Sequence, residues 1–141
     1  RAGVPAVIAP GCVDMANFWS IDMVPERYKH RNLYQWNPNV TLLRTNVDEN
    51  RRIGEMIAAA ANAATAPVAI VLPLRGVSML DGIGANGMPN AFWDPEADRA
   101  CFDAIKANVH PDIPVIEIDH NINDMAFADA CAELLLGMLK G

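Results

Sequence analysis

Hydrophobic positions fall in short blocks separated by proline, glycine and polar clusters. Residues 5–9 (PAVIA) are apolar and stop at Pro10-Gly11, which predicts a buried strand running into a loop. Residues 40–44 (VTLLR) form a second candidate strand. Asn46 then caps a predicted helix with Asp48 and Glu49 in its first turn, and Ile53, Ile57, Ala60, Ala61 and Ala64 fall on one face. Residues 67–72 (PVAIVL) are apolar at every position, as an inner strand of a parallel sheet should be. Asp94-Pro95 opens the next predicted helix, whose stripe is Cys101, Phe102, Ile105 and Val109. Residues 114–118 (PVIEI) read as a further strand. A last helix, capped by Asn123, carries Phe127, Cys131, Leu134, Leu135 and Met138 on one face.

Strands alternating with helices imply right-handed crossovers and one parallel sheet. The expected fold class is therefore α/β, a three-layer Rossmann-like or flavodoxin-like sheet with helices on both faces. Two stretches exceed the roughly 2 to 6 residues usual between such elements: residues 11–39 and 74–93. Both leave the carboxyl end of a predicted strand, the edge where open parallel sheets take ligands.

Composition narrows the class. The 141 residues, 52% hydrophobic and 20% charged, suit one domain with its own core, in which neither a disulfide nor a structural metal is required. A net charge of −6 disfavours nucleic acid and anionic membrane as partners. Cys12, Cys101 and Cys131 make an odd set without a CxxC pair, so a reduced, cytoplasmic protein is expected. No run approaches the ~18 apolar residues of a membrane span. The start at Arg1-Ala2-Gly3 suggests a trimmed or excised piece, with half of the site on whatever precedes it.

The long connections carry the candidate chemistry. Pro73-Leu74-Arg75-Gly76-Val77-Ser78 offers the planar fork of Arg75 for carboxylate or phosphate, close backbone approach at Gly76 and a hydroxyl donor at Ser78; the alternative is a turn with Arg75 pairing an interior acid. Gly11 can present backbone N–H groups, and Asp14 can accept from a ribose hydroxyl or hold Mg²⁺. Cys12 invites a nucleophile reading, but no His stands beside it in sequence and a small, partly buried thiol is the simpler view. His120 between acids is either a base or a loop hydrogen-bonding group. Residues 82–87 (GIGANG) satisfy GxGxxG without the strand–helix context that motif needs, so a flexible glycine loop is expected. His30, His110 and His120 share no zinc spacing, and no metal site is predicted. Arg27, Lys29, His30 and Arg31 lie among Tyr28, Tyr34 and Trp36, a solvated loop or a contact surface.

Read end to end, PAVIAPGCVDMANF, VPERY, NPNVTLLRT, ENRRIGEMIA, PVAIVLPLRGVS and FWDPEAD resemble the C-terminal half of the Tm-one-like ATP-binding family, which joins uncharacterised bacterial and fungal proteins to a tomato inhibitor of tomato mosaic virus replication. The resemblance spans essentially the whole chain. It implies two Rossmann-like domains, of which residues 1–141 are the second, nucleotide binding, self-association as a homo-oligomer and no settled reaction. The expected ligand is ATP with Mg²⁺ or another phosphorylated molecule, contacted by Gly11, Cys12 and Asp14 and by Arg75, Gly76 and Ser78. The alternatives are a hydrolase or lyase acting on a small acid, with Asp14 or His120 as base and Ser78 or Cys12 as nucleophile, and a protein-interaction module built on residues 15–36.

Overall fold

The computed structural model describes residues 3–140; Arg1, Ala2 and Gly141 lie outside it. Among the described residues, two three-stranded sheets and three α-helices make a mixed α/β fold. The parallel sheet has the order β1 (Ala6–Ile8), β5 (Val68–Pro73), β6 (Val115–Ile118), and the antiparallel sheet the order β2 (Met15–Phe18), β4 (Val40–Arg44), β3 (Leu33–Asn37).

Strand β5 is the axis of the core because every one of its residues is buried. Val68, Ile70 and Leu72 alternate toward Ala61 of α1 (Val47–Asn62) and toward Cys101, Phe102 and Ile105 of α2 (Pro95–Asn108), while Ala69 and Val71 point to the other side. Gly54 lets α1 and α2 approach closely: a Cβ there would run into the Cys101 carbonyl. Burying the apolar side chains of this cluster stabilises the fold by roughly 1.5–3 kcal/mol for each large one.

Both sequence-predicted N-caps of the first two helices form. The Asn46 side chain accepts from Glu49 N while the Glu49 carboxylate accepts from Asn46 N, a reciprocal box. Asp94 accepts from Ala97 N, with Pro95 at the first helical position. The third cap differs. Helix α3 (Met125–Lys140) starts after Asp124, whose main-chain carbonyl accepts from Phe127 and Ala128, whereas the Asn123 side chain turns back to Asn121. Helix α3 contacts β1 and buries only Phe127 fully; Leu134, Leu135 and Met138 stay half-buried.

The single parallel sheet expected from the sequence needs correcting. VTLLR does not join it; as β4 it is the centre of the antiparallel sheet, with β2 and β3 drawn from the stretch 11–39 that reads as a loop. A central strand is buried on both faces whichever way its neighbours run, so its apolar pattern does not reveal its sheet. Two 3-10 turns, Ile21–Met23 and Glu26–Tyr28, complete the excursion.

Candidate functional site

The connections after β1 and after β5 meet. Cys12 N donates to the Val77 carbonyl (2.9 Å), and the Ser78 hydroxyl donates to Asp14 Oδ2 (2.6 Å). Asp14 and Ser78 therefore share one rim, as the sequence-level geometry requires. They are sealed in it, however: Asp14 is wholly buried and Ser78 nearly so. Neither borders the cleft described below, and neither do Gly11 and Cys12. Burial raises the Asp14 carboxyl above its ordinary pKa, against the pull of the Ser78 hydrogen bond and Arg44.

Around this contact lies a buried charged junction that the sequence reading does not single out. Arg44, at the end of β4, donates from Nε to the Phe92 carbonyl (2.8 Å) and from Nη2 to the Asp94 carbonyl (3.2 Å) and Asp98 Oδ1 (2.6 Å). Asp81 Oδ2 accepts from Val77 N (2.8 Å). One guanidinium thus faces Asp14, Asp81 and Asp98, and ionising all three acids would leave excess negative charge in low dielectric. Asp98 yields first: burial and the neighbouring Asp81 push it up to about 7, outweighing the Arg44 contact. Asp14 Oδ1, Asp81 Oδ1 and Arg44 Nη1 have no protein partner among the described residues. Arg44 escapes sequence reading because an arginine closing a strand normally looks exposed; its burial depends on three distant segments converging.

A cleft of about 920 Å³ opens at the carboxyl ends of β5 and β6. Arg75 and Gly76 border it, together with Gly82, Ile83 and Gly84, Trp93, Phe102 and the polar residues that follow. Its cations are Arg75, Arg99 and Lys106, set against six carboxyls at Asp81, Asp98, Asp103, Glu117, Asp119 and Asp124. Arg75 makes a two-pronged pair with Asp119, Nε to Oδ1 at 2.8 Å and Nη2 to Oδ2 at 2.7 Å. Both side chains remain about two-thirds exposed, so Arg75 neither stands free nor enters an internal ion pair. The guanidinium holds the Asp119 carboxyl below its usual range. Lys106 is held by Glu117 (2.9 Å) and Asp103 (3.3 Å). Arg99, which sequence reading passes over, has no hydrogen-bond or ion-pair partner among the described residues.

Gly76 borders the cleft, and packing alone requires a glycine there. At φ +133°, its missing Cβ leaves room for the Asn121 amide and the Asp81 backbone, which is an internal packing need. The GIGANG segment is not a free loop: Gly84 N donates to the Met88 carbonyl, Gly87 N to the Gly84 carbonyl, and Ile83 bridges Pro89. It forms a closed turn that walls the cleft.

The nucleophile readings lose support. Cys12 is exposed at φ 54°, and burial of its sulfur followed by the charge of Asp14 raises the thiol above its ordinary pKa, the opposite of activation. The Ser78 hydroxyl is committed to Asp14, and His120 Nδ1 sits 3.2 Å from Asp124 Oδ2 in the loop before α3. Among the described residues there is no group of three or more His, Cys, Asp or Glu able to hold a metal, and no helix is long and apolar enough to cross a membrane. In the connection between β2 and β3, Arg27 stacks on Tyr28, Lys29 pairs Glu26 and Arg31 pairs Glu49 of α1, while Trp19 after β2 and Trp36 in β3 stay exposed.

Comparison with known proteins gives the chain its relatives. Residues 1–139 match the C-terminal domain of the uncharacterised protein family UPF0261. A UPF0261 protein of Clostridium tetani is 42% identical over 139 residues, covering 98% of this chain and 33% of the relative. One of Rhizobium meliloti is 45% identical over 132 residues, covering 92% and 32%. The ToMV resistance protein Tm-1(GCR237) of Solanum lycopersicum is 33% identical over 137 residues, covering 94% of this chain and 17% of the tomato protein. The chain thus spans about a third of the length of these bacterial relatives. A match over nearly every residue, carried through the strands and caps that build the cleft, makes this chain a member of the UPF0261 family by its C-terminal domain.

Proposed function

We propose that this domain binds a small phosphorylated molecule, in the first instance a nucleotide such as ATP with Mg²⁺, in the cleft beyond β5 and β6. The observation that carries the reading is the grouping of Arg75, Arg99 and Lys106 around one opening at the carboxyl edge of a parallel sheet. The six carboxyls in the same wall argue against a bare polyanion and for one that arrives with a divalent cation. Asp81 and Asp98 would hold that ion: both border the cleft, and its charge would take the place of the proton that burial and Asp81 favour on Asp98. Two protein carboxylates completed by phosphate oxygens are a common Mg²⁺ arrangement. When bound, the ion would neutralise phosphate charge; the chain's own part is to grip the phosphates with Arg75 and Arg99 and to offer Trp93 as an apolar wall.

In this reading the fold is a reduced Rossmann-like layer arrangement, with α1 and α2 on one side of β5 and α3 on the other. A preceding domain, as the greater length of the relatives suggests, completes the site. Self-association and a cytoplasmic setting belong to the same proposal. Calorimetric titration with MgATP, repeated with ATP in excess EDTA, tests it. Saturable binding that weakens without Mg²⁺ is expected; no saturable binding in either titration overturns the reading.

A second reading has its own observation. Trp19, just after β2, is 73% exposed and Trp36, in β3, 57%, exposed aromatics that suit a protein partner; the tomato relative, a ToMV resistance protein, is compatible with it. Fluorescence quenching of Trp19 and Trp36 by acrylamide, unchanged in the full-length protein, would remove the preceding region as that partner.

A further inference from the structure

We propose that Asp119 is a built-in stand-in for the ligand's phosphate, occupying the Arg75 fork until a phosphate, caught first by Arg99, displaces it. This rests on the cleft reading above and assigns an order to its groups. The three cations of the cleft are not equivalent. Lys106 is shared between Glu117 and Asp103 and is already neutralised. Arg99 lines the same opening with no acid upon it among the described residues. Arg75 presents its Nε and Nη2 edge, the edge suited to two oxygens of one anionic group, and both positions are filled by the two oxygens of Asp119.

The Asp119 carboxylate is planar and anionic and reaches Arg75 at 2.7–2.8 Å, so it reproduces the contact a phosphate would make. It also projects from the residue just after β6, on the wall of the cleft itself. Exposure makes the pair exchangeable. With both partners about two-thirds in water, the contact is weak, and a doubly charged phosphate outcompetes a single carboxylate once Arg99 holds its other side. A carboxylate that must be displaced also rejects ligands with only weak anionic character, so Asp119 sets specificity as well as affinity.

Binding of inorganic phosphate and of MgATP to the wild-type chain, Asp119→Ala, Asp103→Ala and Arg99→Gln tests the proposal. Asp119→Ala should tighten phosphate binding about three- to fivefold, the scale of the exposed pair it removes. Asp103→Ala removes the same charge from the same cleft but leaves Lys106 held by Glu117, and should change affinity less than twofold. Arg99→Gln should weaken binding about tenfold or more. Equal tightening by Asp119→Ala and Asp103→Ala would mean that only the general field matters, and would overturn the stand-in while leaving the cleft reading intact. Unchanged affinity in Asp119→Ala or in Arg99→Gln would do the same. Failure of wild type and Asp119→Ala alike to bind either probe would overturn both readings together. All three positions are exposed, and circular dichroism of each variant should match the wild type.

Discussion

The junction around Arg44 and the rim around Arg75 use the same chemistry, an arginine fork against aspartates, in opposite surroundings. Arg44 is 4% exposed and gives its hydrogens to two main-chain carbonyls as well as to Asp98. Arg75 is mostly in water and gives its fork to Asp119 alone. In the first case removing either partner strands a charge in low dielectric; in the second, water replaces whatever leaves. The ion pair beside the Pro73–Ser78 connection is therefore not the one that holds the fold. The buried one ties β4 to the start of α2 and so joins the antiparallel sheet to the helical layer, while the exposed one is free to trade partners.

The largest break in this contrast should come from Arg44→Met. It leaves Asp98 and the Phe92 and Asp94 carbonyls without their donor, and we expect a loss of about 3–5 kcal/mol in urea unfolding. Arg75→Met, the matched change on the rim, should move the same midpoint by less than about 0.5 kcal/mol. Similar losses at the two sites would erase the distinction.

A second effect is pH-dependent. Asp98 has a folded-state pKa raised to about 7, so the folded chain favours its protonated form. Its contribution is fully present below the ordinary carboxyl pKa, declines as pH rises from there to about 7, and is flat above. The loss across that window should be on the order of 4 kcal/mol. Asp98→Asn, which keeps a donor toward Asp81 and an acceptor for Arg44, should flatten the profile and be the more stable protein at pH 8. A wild-type stability curve rising between pH 4 and pH 7 because of Asp98 would contradict this sign.

Ser78→Ala should follow, at about 1–2 kcal/mol, because it removes the hydroxyl donor from buried Asp14 Oδ2. Thermal unfolding measures it. The smallest effect is at Cys12: Cys12→Ser should leave stability within about 0.5 kcal/mol, and thiol labelling at neutral pH should be slow, since the raised pKa keeps the sulfur protonated.

Particular residues show how much was legible. The caps at Asn46 and Asp94 and the all-apolar run of β5 follow from local chemistry, and the meeting of the stretches after residues 9 and 73 follows from the shared carboxyl edge of parallel strands; each is present. Asn123 misled because its side chain is taken up inside the preceding turn, bonded to Asn121, while the Asp124 carboxylate accepts from Asn121 N, and the helix begins only after Asp124. Of the six expected ligand contacts, Arg75 and Gly76 border the cleft, and packing requires a glycine at Gly76; the part played by Arg99, and the pairing of Asp119 with Arg75, cannot be read without knowing which acid reaches which arginine.

Composition and periodicity by themselves determined the α/β class, the helices and the edge at which the cleft lies, because those depend on interactions within a few residues and on the burial of one apolar face. Tertiary structure alone decided that β4 pairs with β2 and β3, that Asp14 and Ser78 are closed off from the cleft, and that Arg44 is interior while Arg75 is on the rim. Strand partnership and the dielectric around a charge are properties of segments brought together from far along the chain, and no short stretch of sequence carries them.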